Sequence, residues 1–222
     1  VVAETVQGEG GVHPARPAWL EALTSGVRAH GTLPVVDDVH TGCGRTGPFF
    51  SFETSGVVPG LVRLSKPTGG HGRPAALTPM RPEYDVWRPG EHNGTFRGCN
   101  PAFVTATRAL EVSWSDGALR ARTAVLGERV RRSLSETARR HGLPAPRGRG
   151  PAWGLPLDHP GAAREVCDAA HRAGLLLETA GLQDEVVRLL PPLTVTDGRM
   201  ERGLVVLDEA VAAVAGARGT AA

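Results

Sequence analysis

Apolar positions in this chain fall into short runs separated by glycine- and proline-rich stretches. Val1 to Ala3 predicts the tail of a buried strand, and Glu4 to Pro14 a loop. Pro17 at a first helical position predicts a helix to Ala29, with Gly31 as its stop. Within it Trp19, Leu20, Leu23 and Val27 recur at helical spacing. Leu33 to Val36 predicts a short strand that ends in two acids, Asp37 and Asp38. Gly42 to Pro48 is a tight, glycine-punctuated loop. Leu61 to Leu64 predicts another strand, followed at once by Ser65, Lys66 and the loop sequence PTGGHGRP. Ala75 to Met80 predicts one strand more. Arg88 to Pro101 has almost no period and predicts a long loop, of a length usually kept for binding.

A helical pattern then runs from Pro101 to His141, with a break over Ser115 to Gly117. After it the pattern predicts a strand around Trp153 to Leu157, a helix from Gly161 to Ala173, strands near Leu175 and Val186, and a last helix from Glu201 to Val214. Helices alternating with short strands predict an α/β sheet in the first hundred residues, and a small α+β unit near the end. Residues 1–125 are expected to form the larger domain and 126–222 the smaller, joined by the long helix. The stretch PAPRGRGP at 144–151 is a further candidate boundary. No internal repeat is present.

Composition narrows the class. The chain has 222 residues, is 41% hydrophobic and carries a formal net charge of +2, which excludes a disordered chain. No apolar run approaches a membrane span, and no basic segment followed by an apolar one opens the chain, so no membrane partner is expected. The nearly balanced charge gives no reason to expect a nucleic-acid partner. Cys43, Cys99 and Cys167 are odd in number and widely spaced. They form neither a metal motif nor a disulfide framework, so a cytoplasmic setting without bound metal is expected. The basic side chains number 25, yet only one, Lys66, is a lysine. The functional reading of that residue needs a reaction that only a primary amine can perform.

Three segments carry candidate chemistry. VVDDV at 35–39 places a carboxylate at a strand end, where open α/β sheets bind ligands. LSKPTGG at 64–70 places an amine at another strand end, beside a glycine loop. GEHNGTFRG at 90–98 offers a hydroxyl, backbone N–H groups and an arginine, which suits a phosphate. Each has an ordinary alternative: a turn acid, a surface lysine, a plain glycine loop. Together they fit a Schiff-base amine, an acid for a pyridine nitrogen and a phosphate loop, the layout of a pyridoxal-phosphate enzyme.

The chain resembles the class III pyridoxal-phosphate-dependent aminotransferases, which have fold-type I. The matching segments are ETVQGEGG at 4–11, VVDDVHTGCGRTGPFFSFE at 35–53, LSKPTGGHGRP at 64–74 and GEHNGTFRGCNPA at 90–102, followed by RGRG at 147–150, GLLLETAG at 174–181 and VVRLLPPLTV at 186–195. ALTPMRPEYDVWRPGEHNGTFRG and ETAG…DEVVRLLPPLT resemble most the diaminobutyrate–2-oxoglutarate branch of that family, which serves ectoine biosynthesis. The resemblance implies amino-group transfer between glutamate/2-oxoglutarate and aspartate semialdehyde/L-2,4-diaminobutyrate through a Schiff base with pyridoxal 5′-phosphate. It implies that Lys66 holds the cofactor and moves a proton, and that Asp37 pairs with the pyridine nitrogen. Asp38 is expected to be structural. Val39 would pack on the ring and His40 would lie near its 3′-oxygen. Thr95 would reach the phosphate of a neighbouring subunit's cofactor. Arg188 would fork onto a substrate carboxylate, with Glu4 as its partner in one half-reaction.

The sequence departs from the family pattern at Pro67, His71, Cys99 and the run Pro151, Ala152 and Trp153. Pro67 biases Lys66 toward an extended backbone. Family members are roughly twice this long, so the resemblance implies a C-terminal half only. The expected fold is a partial large domain with a mixed, mostly parallel sheet, plus a small α+β domain. The expected partners are amino-acid and 2-oxo-acid substrates and a second copy in a homodimer, or else a missing N-terminal half. Two alternatives stay open: an inactive fragment that only pairs with another chain, and a transaminase for another ω-amino acid.

Overall fold

Short strands delivering side chains at their C-terminal ends dominate the first part of the chain. The computed structural model describes the backbone of residues 1–70, 72–95 and 97–219, and side chains through 215. The departure at His71 lies outside the described residues. Strands β1 (Val2–Ala3), β2 (Val35–Asp37) and β3 (Leu61–Arg63) form a parallel sheet in that order. Asp37 stands opposite Arg63 at the C-terminal end of the β2–β3 ladder. Helix α1 (Pro17–Ala29) keeps its predicted bounds, with proline opening it and Leu20 buried.

Some expectations are corrected here. β1 is an edge strand and not a buried one: Val1 and Val2 are 52% and 58% exposed. No strand forms over Ala75 to Met80. Prolines 74, 79 and 82 limit ladder donors there, and only isolated antiparallel bridges join Leu77 to Leu64 and Met80 to Leu61. The sheet expected to be mixed is purely parallel among its named strands.

Every described residue from 85 to 101 is exposed, and none of the described residues from 85 to 99 belongs to a regular element. Helices α2 (Asn100–Trp114) and α3 (Ala118–His141) follow, broken at the predicted place. Gly117 at φ 73° occupies the break.

The chain divides into two compact units. The first holds 1–5, 15–44 and 48–120, and the second 6–14, 45–47 and 121–222. In the second unit α3 packs with α4 (Ala162–Arg172) and α5 (Asp197–Gly219) onto an antiparallel sheet. That sheet is β4 (Arg147–Arg149), β5 (Ala152–Pro156), β7 (Val186–Leu189) and β6 (Glu178–Ala180), in spatial order. Val130, Leu134, Leu155, Val166, Val187 and Leu207 form its core. The short β4 has no apolar pattern and was not foreseen.

One close approach fixes the seat of α3. A Cβ on Gly127 would lie 2.6 Å from the carbonyl carbon of Gly150, in the β4–β5 turn. Gly127→Ala gains about 1 kcal/mol of helix propensity but forces backbone apart, at a cost of about 2–3 kcal/mol. The variant is expected to unfold at lower urea concentration. An unchanged or raised midpoint would show that the contact yields freely.

Candidate active site

Lys66 follows β3 by three residues, at the C-terminal end of the parallel sheet. It opens a tight 3₁₀ turn over Lys66–Gly69 and has φ 41°, in the left-handed region. The expected extended backbone is therefore corrected. Hydrogen bonds from the Thr68 N–H and Oγ1 to the Ser65 carbonyl, at 3.0 and 2.8 Å, tie the turn and override the preference that Pro67 imposes. A non-glycine residue held there stores backbone strain, which is concentrated at functional positions. The side chain is exposed beside an open cleft of about 440 Å³, also lined by Ser65, Gly70, Gly72, Arg73, Pro74 and Ala75.

Lys66 Nζ lies 2.7 Å from His40 Nε2. His40 comes from the turn after β2, so the two strand ends bring an amine and an imidazole into hydrogen-bond contact. Asp37, also at the end of β2, accepts from the Val39 N–H and from Arg63 Nη1, both at 3.1 Å. Val39 is half-buried directly after it. Lys66 and His40 are thus one pair, and Asp37, Val39 and Arg63 another group on the same strand ends. Thr95 is exposed in the irregular segment, and no hydrogen bond joins it to either group among the described residues.

Asp38 points the other way and is fully buried. It accepts from the Ser51 N–H at 2.9 Å, from Thr41 Oγ1 at 2.8 Å and from the Ser51 hydroxyl. Ser51 in turn accepts from Thr5 Oγ1 at 2.6 Å. This network fixes the turn that carries His40.

Arg188 lies in the second unit, with a side chain only 6% exposed. Its Nη1 donates to Glu9 Oε1 at 2.7 Å and its Nη2 to Glu178 Oε2 at 2.6 Å. Burial alone lowers the guanidinium pKa, but the two carboxylates outweigh it and raise the value. Neither acid was named from the sequence, which singled out Glu4; Glu4 belongs to the first unit. Glu9 sits on a segment that doubles back through a Val6–Pro14 bridge and a Gln7 N–H bond to the His13 carbonyl. Glu178 stands opposite Arg188 in the β6–β7 register. Register between strands nine or more residues apart leaves no mark in the spacing of charges.

The donor set fits pyridoxal phosphate. A primary amine is available for an aldehyde, and an acid on the adjacent strand end is available for a cationic ring nitrogen. Among the described residues no cluster of His, Cys, Asp and Glu could hold a metal ion. No described helix is long and apolar enough to cross a membrane.

The sequence profile of the family described as aminotransferase class-III matches residues 1–211. The chain is 53% identical over 211 residues to the diaminobutyrate–2-oxoglutarate transaminase of Nocardia farcinica, covering 95% of this chain and 48% of that protein. It is 46% identical over 213 residues to the protein of the same name from Vibrio cholerae, covering 94% of this chain and 51% of that one. Among solved structures, the N-acetylornithine aminotransferase from Stenotrophomonas maltophilia superposes with a TM-score of 0.83 at 31% identity, over 97% of this chain and 57% of that one. The ornithine aminotransferase from Toxoplasma gondii superposes with a TM-score of 0.88 at 28% identity, over 98% and 52%. The chain spans about half the length of the curated relatives it matches.

Three expectations are corrected by these matches. The likeness is not confined to a C-terminal half, because the profile match runs through nearly the whole chain. Nor is the likeness in fold confined to one domain of this chain: the aminotransferase superpositions cover 97% and 98% of it. The expected partnership with a missing N-terminal half is withdrawn as well, because the match extends from residue 1 to residue 211. The chain belongs to the class-III aminotransferases, a family of pyridoxal-phosphate enzymes.

Proposed function

We propose that this chain carries an aminotransferase site for L-2,4-diaminobutyrate and 2-oxoglutarate, with aspartate semialdehyde and glutamate as the paired species. The observation that carries the reading is the 2.7 Å approach of Lys66 Nζ to His40 Nε2 at the ends of adjacent parallel strands. The substrate pair is supported by the name of the relatives from Nocardia farcinica and Vibrio cholerae. When bound, the cofactor supplies an electron sink for negative charge developing at the substrate Cα.

The chain's own residues do the rest. Lys66 would hold the cofactor through its amine and, once that amine is freed by the substrate's amino group, would serve as the base and acid that moves a proton. His40 accepts a hydrogen bond from that amine when its Nε2 is unprotonated, which orients Nζ. Asp37 would supply the negative charge that favours a protonated ring nitrogen, and Val39 would pack against a bound ring. Thr95 would offer a hydroxyl to the phosphate of a neighbouring subunit's cofactor. Arg188 offers a fork for a substrate carboxylate. A reducing cytoplasm suits the free thiols Cys43, Cys99 and Cys167.

The test is covalent trapping. Protein mixed with pyridoxal phosphate is reduced with borohydride, digested and mapped by mass spectrometry. The expected result is a pyridoxyl group on the Lys66 peptide, diminished when glutamate is added before reduction. A Lys66 peptide left unmodified would overturn the reading.

A further inference from the structure

Among the described non-glycine residues of the first unit, two have a positive φ: Cys43 at 50° and Lys66 at 41°. Each sits in the turn that follows a strand of the parallel sheet, Cys43 after β2 and Lys66 after β3. A Cβ is disfavoured in that region, so other bonds must hold each turn.

For Lys66 the holding residue is Thr68, whose N–H and hydroxyl both donate to the Ser65 carbonyl. Thr68 is buried, and its hydroxyl also bonds the buried thiol of Cys43. The direction of that second bond follows from the donors available. A carbonyl only accepts, so the single hydroxyl proton goes to Ser65. The thiol must then donate to Thr68 Oγ1. Burial pushes the Cys43 thiol up, against the effect of the Thr68 bond, and the Asp38 carboxylate adds to the rise. The sulfur therefore keeps the proton that the bond needs. The two turns also meet at Gly42, where an added Cβ would lie 2.8 Å from Leu64 Cδ2. Cys43 is fixed from its own side, because the Gly42 N–H donates to the Asp38 carbonyl at 2.9 Å.

We propose that Cys43 is a positioning residue for Lys66. A chain of bonds from its S–H through the Thr68 hydroxyl to the Ser65 carbonyl holds the Lys66 turn, and so sets where Nζ stands against His40. This rests on the proposed role of Lys66 as the cofactor-holding amine and adds the group that aims it. An amine aimed in this way meets an aldehyde from one direction, which is the advantage of a preorganised group.

Two reactions of Lys66, the only lysine in the chain, read that aim with opposite signs. Acetic anhydride approaches from any side, but Nζ must leave His40 to react with it. Acetylation of Lys66, mapped by mass spectrometry, is expected to run about fivefold faster in Cys43→Ala, the worth of one ordinary hydrogen bond. Capture of pyridoxal phosphate, titrated by borohydride trapping, is directional and is expected to weaken about fivefold in the same variant. Cys43→Ser keeps a donor and should bring both readings within about twofold of the native protein. Thr68→Val removes the hydroxyl from the other side and should match Cys43→Ala, and the double variant should go no further. Amide exchange of β2 and β3, read on the same samples, should stay native. The proposal is overturned if Cys43→Ala acetylates at the native rate, or captures the cofactor as well as a native protein that captures it. It is overturned equally if serine fails to restore the readings, or if the double variant adds the two effects. Acetylation that rises only together with strand exchange would also overturn it, as the mark of a residue that merely fills space. If no form traps the cofactor, the reading of Lys66 fails, whereas the acetylation series still decides whether Cys43 holds it.

Discussion

Lys66→Arg is expected to abolish amino-group transfer, with turnover falling by about a thousandfold or more. Arginine preserves the positive charge and nearly the length. It cannot shed a proton at working pH, so it has no free electron pair for an aldehyde and no means to shuttle a proton. The chain offers no substitute amine, because Lys66 is the only lysine in the sequence. Glutamate-dependent transfer to an oxo acid is the measurement, in the preparation that shows activity with the native lysine. The fold should tolerate the change, since the Lys66 side chain is exposed and its hydrogen bond among the described residues is to His40. An unchanged melting temperature with lost turnover is the expected pattern. Retained turnover within tenfold of the native protein would remove Lys66 from the chemistry.

The largest stability loss is expected at Asp38, which touches no proposed reactant. Asp38→Ala leaves the Ser51 N–H and the Thr41 and Ser51 hydroxyls without their shared acceptor in a fully buried place. Stranded donors of this kind make a cost of about 3 kcal/mol reasonable for the first unit. Asp38→Asn retains one acceptor oxygen, and the hydroxyls can reverse to accept from its amide, so about 1 kcal/mol is expected. Denaturant unfolding of the two variants gives the comparison. Equal losses would mean that the side chain's volume matters and its acceptors do not.

Much of the fold was legible where local signals are strong. Pro17 and Gly31 bracket α1, and the break between α2 and α3 falls where Gly117 takes a positive φ. The strand-end placement of Asp37 and Lys66 was legible too, because each lies within two residues of a short apolar run. What escaped depends on chain pairing. β4 is the tripeptide Arg-Gly-Arg, polar in sequence and a strand only because β5 lies beside it. The 75–80 segment has strand-like residues but prolines at 74 and 79, and it reaches β3 at two bridges only. Glu9 and Glu178 lie 179 and 10 residues from Arg188 in the chain, and only the folded-back loop and the β6–β7 register bring them to it.

The bond network around Asp38 has an entropic side. It closes a ring of chain between residues 38 and 51, which contains Gly42, Gly44 and Gly47. Closing a flexible loop of this length costs about (3/2)RT ln n of configurational freedom, a little over 2 kcal/mol. That cost is met during folding, in the interior and away from the reacting groups. His40 therefore reaches Lys66 on a tether already shortened, and any ligand that needs the imidazole in place finds the search for it largely finished.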